Sequence, residues 1–307
     1  MSGRQTLLIS GNNKVVQMNT LRNTRCRAAL AKGALALLVS VSLPAFAQKD
    51  LQGMWGQRFH EDLPERGGGP EIGDYTGLPV NDAARRRADT WDANKWTIPE
   101  RQCEPHPADY GPRGPASLRI ASVVDPISQE VTEWHVTVMW QLQERTIYMD
   151  GRPHPSPNAQ HSWQGFSTGV WEGDMLKVTT THLKEGWVRR NGLPRSDQAV
   201  LTEYFIRNDD YLTLVTVVED PVYLSEPLVR TSDWVIDPGI QLSPFSCIPT
   251  IEIERPRGAV IHHLPDTNEA LYEYADTQGI PHDTVRGGSE TMYPEYQQKL
   301  RTQGGGK

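Results

Sequence analysis

Residues 163–183 read WQGFSTGVWEGDMLKVTTTHL, and this stretch decides the fold. Two alternating runs rich in Thr, Val and Trp flank Gly173-Asp174, a dipeptide suited to a two-residue hairpin turn. With that turn, Glu172 pairs with Met175, Trp171 with Leu176, Gly169 with Val178 and Ser167 with Thr180, while His182 falls opposite Gly165. One face then carries Ser167, Gly169, Trp171, Leu176, Val178, Thr180 and His182. It is apolar beside the turn and polar at its far end.

The same pattern extends to both sides. Strand-like segments run Ser117–Val124, Val131–Gln141, Glu144–Met149, Trp163–Trp171, Met175–Leu183, Gln198–Arg207, Tyr211–Glu219 and Leu228–Ile236. Asp125-Pro126, Asn208-Asp209-Asp210 and Asp220-Pro221 punctuate them as turns. No helix-length pattern separates the segments, so an all-β, antiparallel meander of about eight strands is expected, closed into a barrel, with an open sandwich as the alternative.

The chain begins with sequence of another kind. Arg22, Arg25, Arg27 and Lys32 precede an apolar run from Gly33 to Leu43, and Ala45-Phe46-Ala47 supplies a small-residue cleavage site. Residues 1–47 read as an upstream extension plus signal peptide, with Met18 as an alternative start, cleavage after Ala47 and a periplasmic mature protein. The run of about eleven apolar residues is roughly half of what spans a bilayer, so no transmembrane segment is expected after cleavage. The leader holds six of the 31 Lys and Arg residues and none of the 38 Asp and Glu, leaving 25 basic against 38 acidic and a net charge of −13. That balance excludes a phosphate-tracking nucleic-acid binder.

Cys26 departs with the leader. Cys103 and Cys247 remain, an even pair in an oxidising compartment and predicted to form a disulfide, two unrelated buried thiols being the alternative. Residues 48–116 read as an N-terminal strand and a Pro- and Gly-rich wrap with one short helix capped by Asn81 or Asp82. Residues 117–255 form the antiparallel β domain. Residues 256–307 form an extension in which Asp266-Thr267-Asn268-Glu269 starts a short helix before a frayed tail.

Chemistry is sparser. Gly165-Phe166-Ser167-Thr168-Gly169 matches the letters of a nucleophile elbow but continues as a hairpin, so a Ser hydrolase is discounted. His182, Glu203 and His154 are the candidate acids and bases. Ser167, Thr180, Trp163, Trp171, Arg152, Arg207 and His161 are candidate ligand contacts, with Ser167 and Thr180 alternatively a plain cross-strand pair. A two-residue Asp209-Asp210 turn would bury Glu203 and Arg207 as a pair beside Leu212, Leu214 and Val218; a three-residue turn would put them in solvent. Arg145, Asp150 and Arg152 near Trp163 are a candidate hold for an anion or planar ring. His154, His161, His106 and His182 lack metal-ligand spacing, so no metal is expected, nor any other cofactor.

Two resemblances rest on these residues. Gly53-Met54-Trp55 resembles the Gly-x-Trp that opens lipocalins and related calycin barrels, which implies a ligand-holding barrel; the Pro- and Gly-rich residues that follow depart from that family. Asp150-Gly151-Arg152-Pro153-His154-Pro155, the string from Trp163 to Thr181, Glu203-Tyr204-Phe205 and Asp220-Pro221 are similar to an uncharacterised family of exported bacterial proteins. That likeness implies no reaction.

The leading expectation is an exported calycin-like barrel that binds a small apolar or neutral molecule in its cavity, capped by residues 57–116 and by the His154–His161 loop. Beside it stand a cofactor-independent isomerase, lyase or hydratase using His182, Glu203 or His154 at that cavity, and an envelope component that meets a partner through some of its nine tryptophans.

Overall fold

A computed structural model describes residues 49–58, 70–113, 117–139, 143–242 and 246–304. The signal-peptide reading lies outside the described residues. Nine strands close into a barrel: β1 (Gly53–Arg58), β2 (Leu118–Val124), β3 (Val131–Val138), β4 (Gln143–Tyr148), β5 (Phe166–Glu172), β6 (Met175–Thr181), β9 (Val200–Asn208), β10 (Tyr211–Glu219) and β11 (Leu228–Ile236). Their order around the barrel is β1-β11-β10-β9-β6-β5-β4-β3-β2. A small separate hairpin pairs β7 (Gly186–Trp187) with β8 (Pro194–Arg195).

The eight segments of the central sequence are eight of these strands, and the N-terminal strand closes the circle between β2 and β11. Tight turns fix the registers. Gly173-Asp174 sets Ser167 opposite Thr180 and Trp171 opposite Leu176, and Asp209-Asp210 sets Glu203 opposite Thr216. One neighbour pair departs from the meander: β4 and β5 are parallel, at Ile147↔Ser167 and Tyr148↔Thr168. The connection between them carries Pro153, Pro155 and Pro157, which fix the backbone dihedral and cannot turn the chain straight back as a hairpin. It therefore runs along the barrel before the chain re-enters in the same direction.

Period-two alternation fills the inside. β10 buries Leu212, Leu214, Thr216 and Val218, and β6 buries Leu176, Val178 and Thr180. Gly169 lets the β4 and β6 side chains close in, because a Cβ there would lie 2.6 Å from Met149 Sδ and 3.0 Å from Ile147 Cγ2.

The core has two parts. One end of the barrel is filled by Trp55, Trp134, Trp234, Phe205 and the aliphatics around them. At the other end Leu201, Val218 and Leu228 meet Tyr75, Val80, Ala84 and Ala88 of the wrap, with Leu183, Val188 and Leu193 from the β7–β8 excursion. In the wrap, α1 (Asp82–Asp89) starts at Asn81, whose side chain accepts from the Ala84 N–H. The Cys103–Cys247 disulfide joins the end of α2 (Pro99–Gln102) to the segment after the barrel, with Cα atoms 5.7 Å apart. Asn268 caps the helical turn that leads into α3 (Glu273–Gln278), followed by α4 (His282–Val285) and α5 (Pro294–Gly304). Among the described residues no helix is long and apolar enough to cross a membrane.

Candidate functional site

Between the two cores lies a polar layer. Glu203 is fully buried and receives both terminal nitrogens of Arg145, itself 5 % exposed. The two-residue turn does bury Glu203, but with Arg145 as its partner in place of Arg207. Four residues further along β9, Arg207 reaches the barrel rim, where it donates to the Asp50 and Asp209 carbonyls and lies 5.3 Å from the Trp55 ring. Ser167 and Thr180 bond each other at 2.8 Å across β5 and β6. Trp171 packs against the aromatic core at the turn end of that hairpin, whereas Trp163 stands beyond the other end.

His182 does not continue the inward face. Its φ of +59° breaks the strand alternation, and its ring contacts Thr181 Oγ1 at 2.7 Å and the Ser156 carbonyl at 2.8 Å. His154 lies on the same outer surface, bonded to Thr168 and Thr181, the neighbours of the inward Ser167 and Thr180. His161 donates to the Leu183 carbonyl, and its ring is 5.2 Å from that of His182. The Asp150–His161 connection thus lies against the outside of the barrel, held by three histidines. Among the described residues no group of three His, Cys, Asp or Glu side chains is placed to hold a metal ion. Arg152 stays exposed, paired with Asp150 and stacked 3.8 Å from the Tyr148 ring, while Arg145 is inside the barrel. The suggested grouping of Arg145 with Arg152 and Trp163 is therefore split by the barrel wall.

The ligand-sized space lies over the wrapped end. Trp91 follows α1, Lys95 and Trp96 sit on the helical turn Ala93–Thr97, and Trp187, Gly192 and Pro194 come from the β7–β8 hairpin. Trp91, Trp96 and Trp187 pack with centroids 5.9, 6.2 and 4.9 Å apart, two of the pairs edge to face. Gly192, at φ +94°, lets the hairpin pass against Trp91: a Cβ there would lie 2.4 Å from the Trp91 Cβ. Trp91, Trp163 and Trp187 wall a pocket of about 210 Å³. It opens onto a broader groove of about 870 Å³ that shares Arg87, Lys95, Arg101 and His262 with it.

Charges line the rim. Arg87 pairs with Glu185 at 3.2 Å, and Arg101 with Glu104 at 2.8 Å. Lys95 Nζ stands 5.2 Å from the Trp91 ring centre and has no ion-pair partner among the described residues. Burial, then the nearby Arg101 and Arg87, holds its pKa below the usual lysine value. The indole N–H groups of Trp91 and Trp187 are buried without a hydrogen-bond partner among the described residues.

Of these walls the sequence points only to Trp163. Trp91 follows α1, and Lys95 and Trp187 sit in a helical turn and a two-residue strand too short to show periodicity, so only the abundance of tryptophan hints at these walls. No family model, curated protein or solved structure matches the chain.

Proposed function

We propose that the mature protein is an exported, periplasmic binding protein for a small, largely apolar molecule, held at the wrapped end of the barrel. The observation that carries this reading is the convergence of Trp91, Trp163 and Trp187, from three separate segments, on one recess of about 210 Å³. Aromatic walls with a few polar groups are the usual make-up of a small-molecule site. Export is supported by the basic, apolar and small-residue pattern of the leader together with the Cys103–Cys247 bond, since disulfides persist in oxidising compartments. Of the acid–base candidates, Glu203 is sealed inside the barrel, and His154 and His182 lie on its outer face. None lines the pocket.

The test is native mass spectrometry of protein taken from the periplasm, with thermal stability measured across single-ring compounds. A ligand at a hundred times its Kd would stabilise the fold by about 2.7 kcal/mol, and Trp187→Ala would remove that gain. Absence of both a co-purified molecule and any ligand-dependent shift would overturn the reading.

A further inference from the structure

We propose that the pocket selects an aromatic carboxylate: one ring among Trp91, Trp163 and Trp187, with the carboxylate paired to Lys95. The proposal rests on the binding function above and adds the chemical class of the ligand.

Size comes first. At about 30 Å³ per water, 210 Å³ is the room of about seven water molecules. It lies below the 300–1,000 Å³ common for drug-sized sites. One ring with a short substituent fits within that recess; a fused polycycle or a long acyl chain would have to extend into the adjoining groove.

Charge decides the substituent. The acidic groups near the pocket are already engaged: Glu185 by Arg87, Glu104 by Arg101, and Asp92 by the Asn94 N–H at 2.9 Å, with His263 3.9 Å away. Among the described residues, two of the three pocket carboxylates are thus neutralised by arginines, and the third, Asp92, is taken up by the backbone and side-chain N–H groups of Asn94. On the basic side, Lys95 holds its ammonium over an indole and beside two arginines with no carboxylate within ion-pair distance among the described residues, Glu104 and Glu185 acting on it from farther off while each is held by an arginine. A partly desolvated cation in that position is costly unless paired. An incoming carboxylate supplies the missing partner through a charge-assisted hydrogen bond. A neutral analogue of the same shape would fill the aromatic walls and leave Lys95 as it is. The ammonium is a point charge on a flexible stem, so it suits a single acidic group at the mouth better than a bidentate clamp would.

The experiment titrates the mature protein with benzoate and with benzamide, following tryptophan fluorescence and heat. Wild type is expected to bind benzoate roughly tenfold or more tightly than benzamide, the scale of one charge-assisted contact. Lys95→Met should abolish the preference and leave benzamide affinity within about twofold, which also reports that the pocket is intact. Lys95→Arg should restore part of the preference. Equal affinity for both probes in wild type, or a preference that survives Lys95→Met, overturns the carboxylate assignment while leaving the binding function standing. Failure of both probes to bind overturns the carboxylate assignment, and it overturns the binding function as well when no co-purified molecule and no shift across the single-ring panel are found.

Discussion

Arg145 and Glu203 meet inside the barrel although β5 and β6 separate their strands, so their bidentate contact spans the interior. Two charges taken from water are held there by geometry, and removing one strands the other in a low dielectric. Glu203→Leu is expected to lower unfolding free energy by about 3–5 kcal/mol, the range for breaking a buried pair. Arg145→Met with Glu203→Leu should cost less than either single change. Urea denaturation of the four proteins, treated as a double-mutant cycle, checks this.

The disulfide closes a separation of 144 residues. On chain-entropy reasoning, replacing Cys103 and Cys247 by Ser should remove about 5 kcal/mol, less any strain relieved. The segment after the barrel keeps other anchors: Gln102 bonds to Thr250, and Arg255 donates to Thr97. Hydrogen exchange in the Cys→Ser protein should therefore rise first at residues 247–255, with barrel amides still protected.

Local chemistry made the barrel legible and left its site obscure. Gly173-Asp174 and Asp209-Asp210 set registers over a few residues, and alternation then says which side chains turn inward. The partner of Glu203 was not available from such rules, because Arg145 sits 58 residues earlier with two strands in between. His182 follows strand alternation on paper, yet a left-handed backbone at that one residue sends it outside. Trp91 and Trp187 meet only through the wrap and the β7–β8 excursion. Loop-to-loop contact leaves no period in the sequence.

His106 provides an acid-sensitive element in the wrap. Burial, helped by the charge of Arg190, pulls its pKa from 6.5 to about 4, so the folded protein keeps it neutral where an unfolded chain would protonate it. The stability it contributes is complete above pH 6.5 and is lost as pH falls toward 4, by up to about 3 kcal/mol. His106→Phe should flatten the stability difference between pH 7 and pH 4 by that amount, as measured by urea midpoints at both values.

Gly192 carries the shape of the pocket. Gly192→Ala would force a methyl group to within 2.4 Å of the Trp91 Cβ at a φ of +94°. Overpacking of this kind costs about 1–3 kcal/mol, and the strained dihedral adds to it. The expected readout is a lower melting temperature with shifted tryptophan emission, and weakened binding of whichever single-ring probe the wild type accepts. Gly151→Ala serves as the control for dihedral strain alone, since it too sits at positive φ, +71°, but its added Cβ would meet nothing within 4 Å.

The outer histidines form a directional chain whose proton positions follow from their partners. His182 Nε2 faces the Ser156 carbonyl and must donate to it, so in the neutral ring Nδ1 accepts from the Thr181 hydroxyl. Thr181 Oγ1 then accepts from His154 Nδ1, and His154 Nε2 accepts from Thr168. The chain is complete with both rings neutral, and burial, followed by electrostatic repulsion from a protonated His182, lowers the His154 pKa. A lowered histidine pKa means that stability is present above 6.5 and is lost as pH drops through the folded value. NMR should find His154 titrating below 6.5. His182→Asn, a residue that tolerates the +59° dihedral, should move that titration back upward by removing the neighbouring charge. Amides of residues 150–161 should exchange faster once His154 is protonated, because Thr168 must then turn its hydroxyl from donor to acceptor. An unchanged His154 titration in His182→Asn would mean that burial alone sets it.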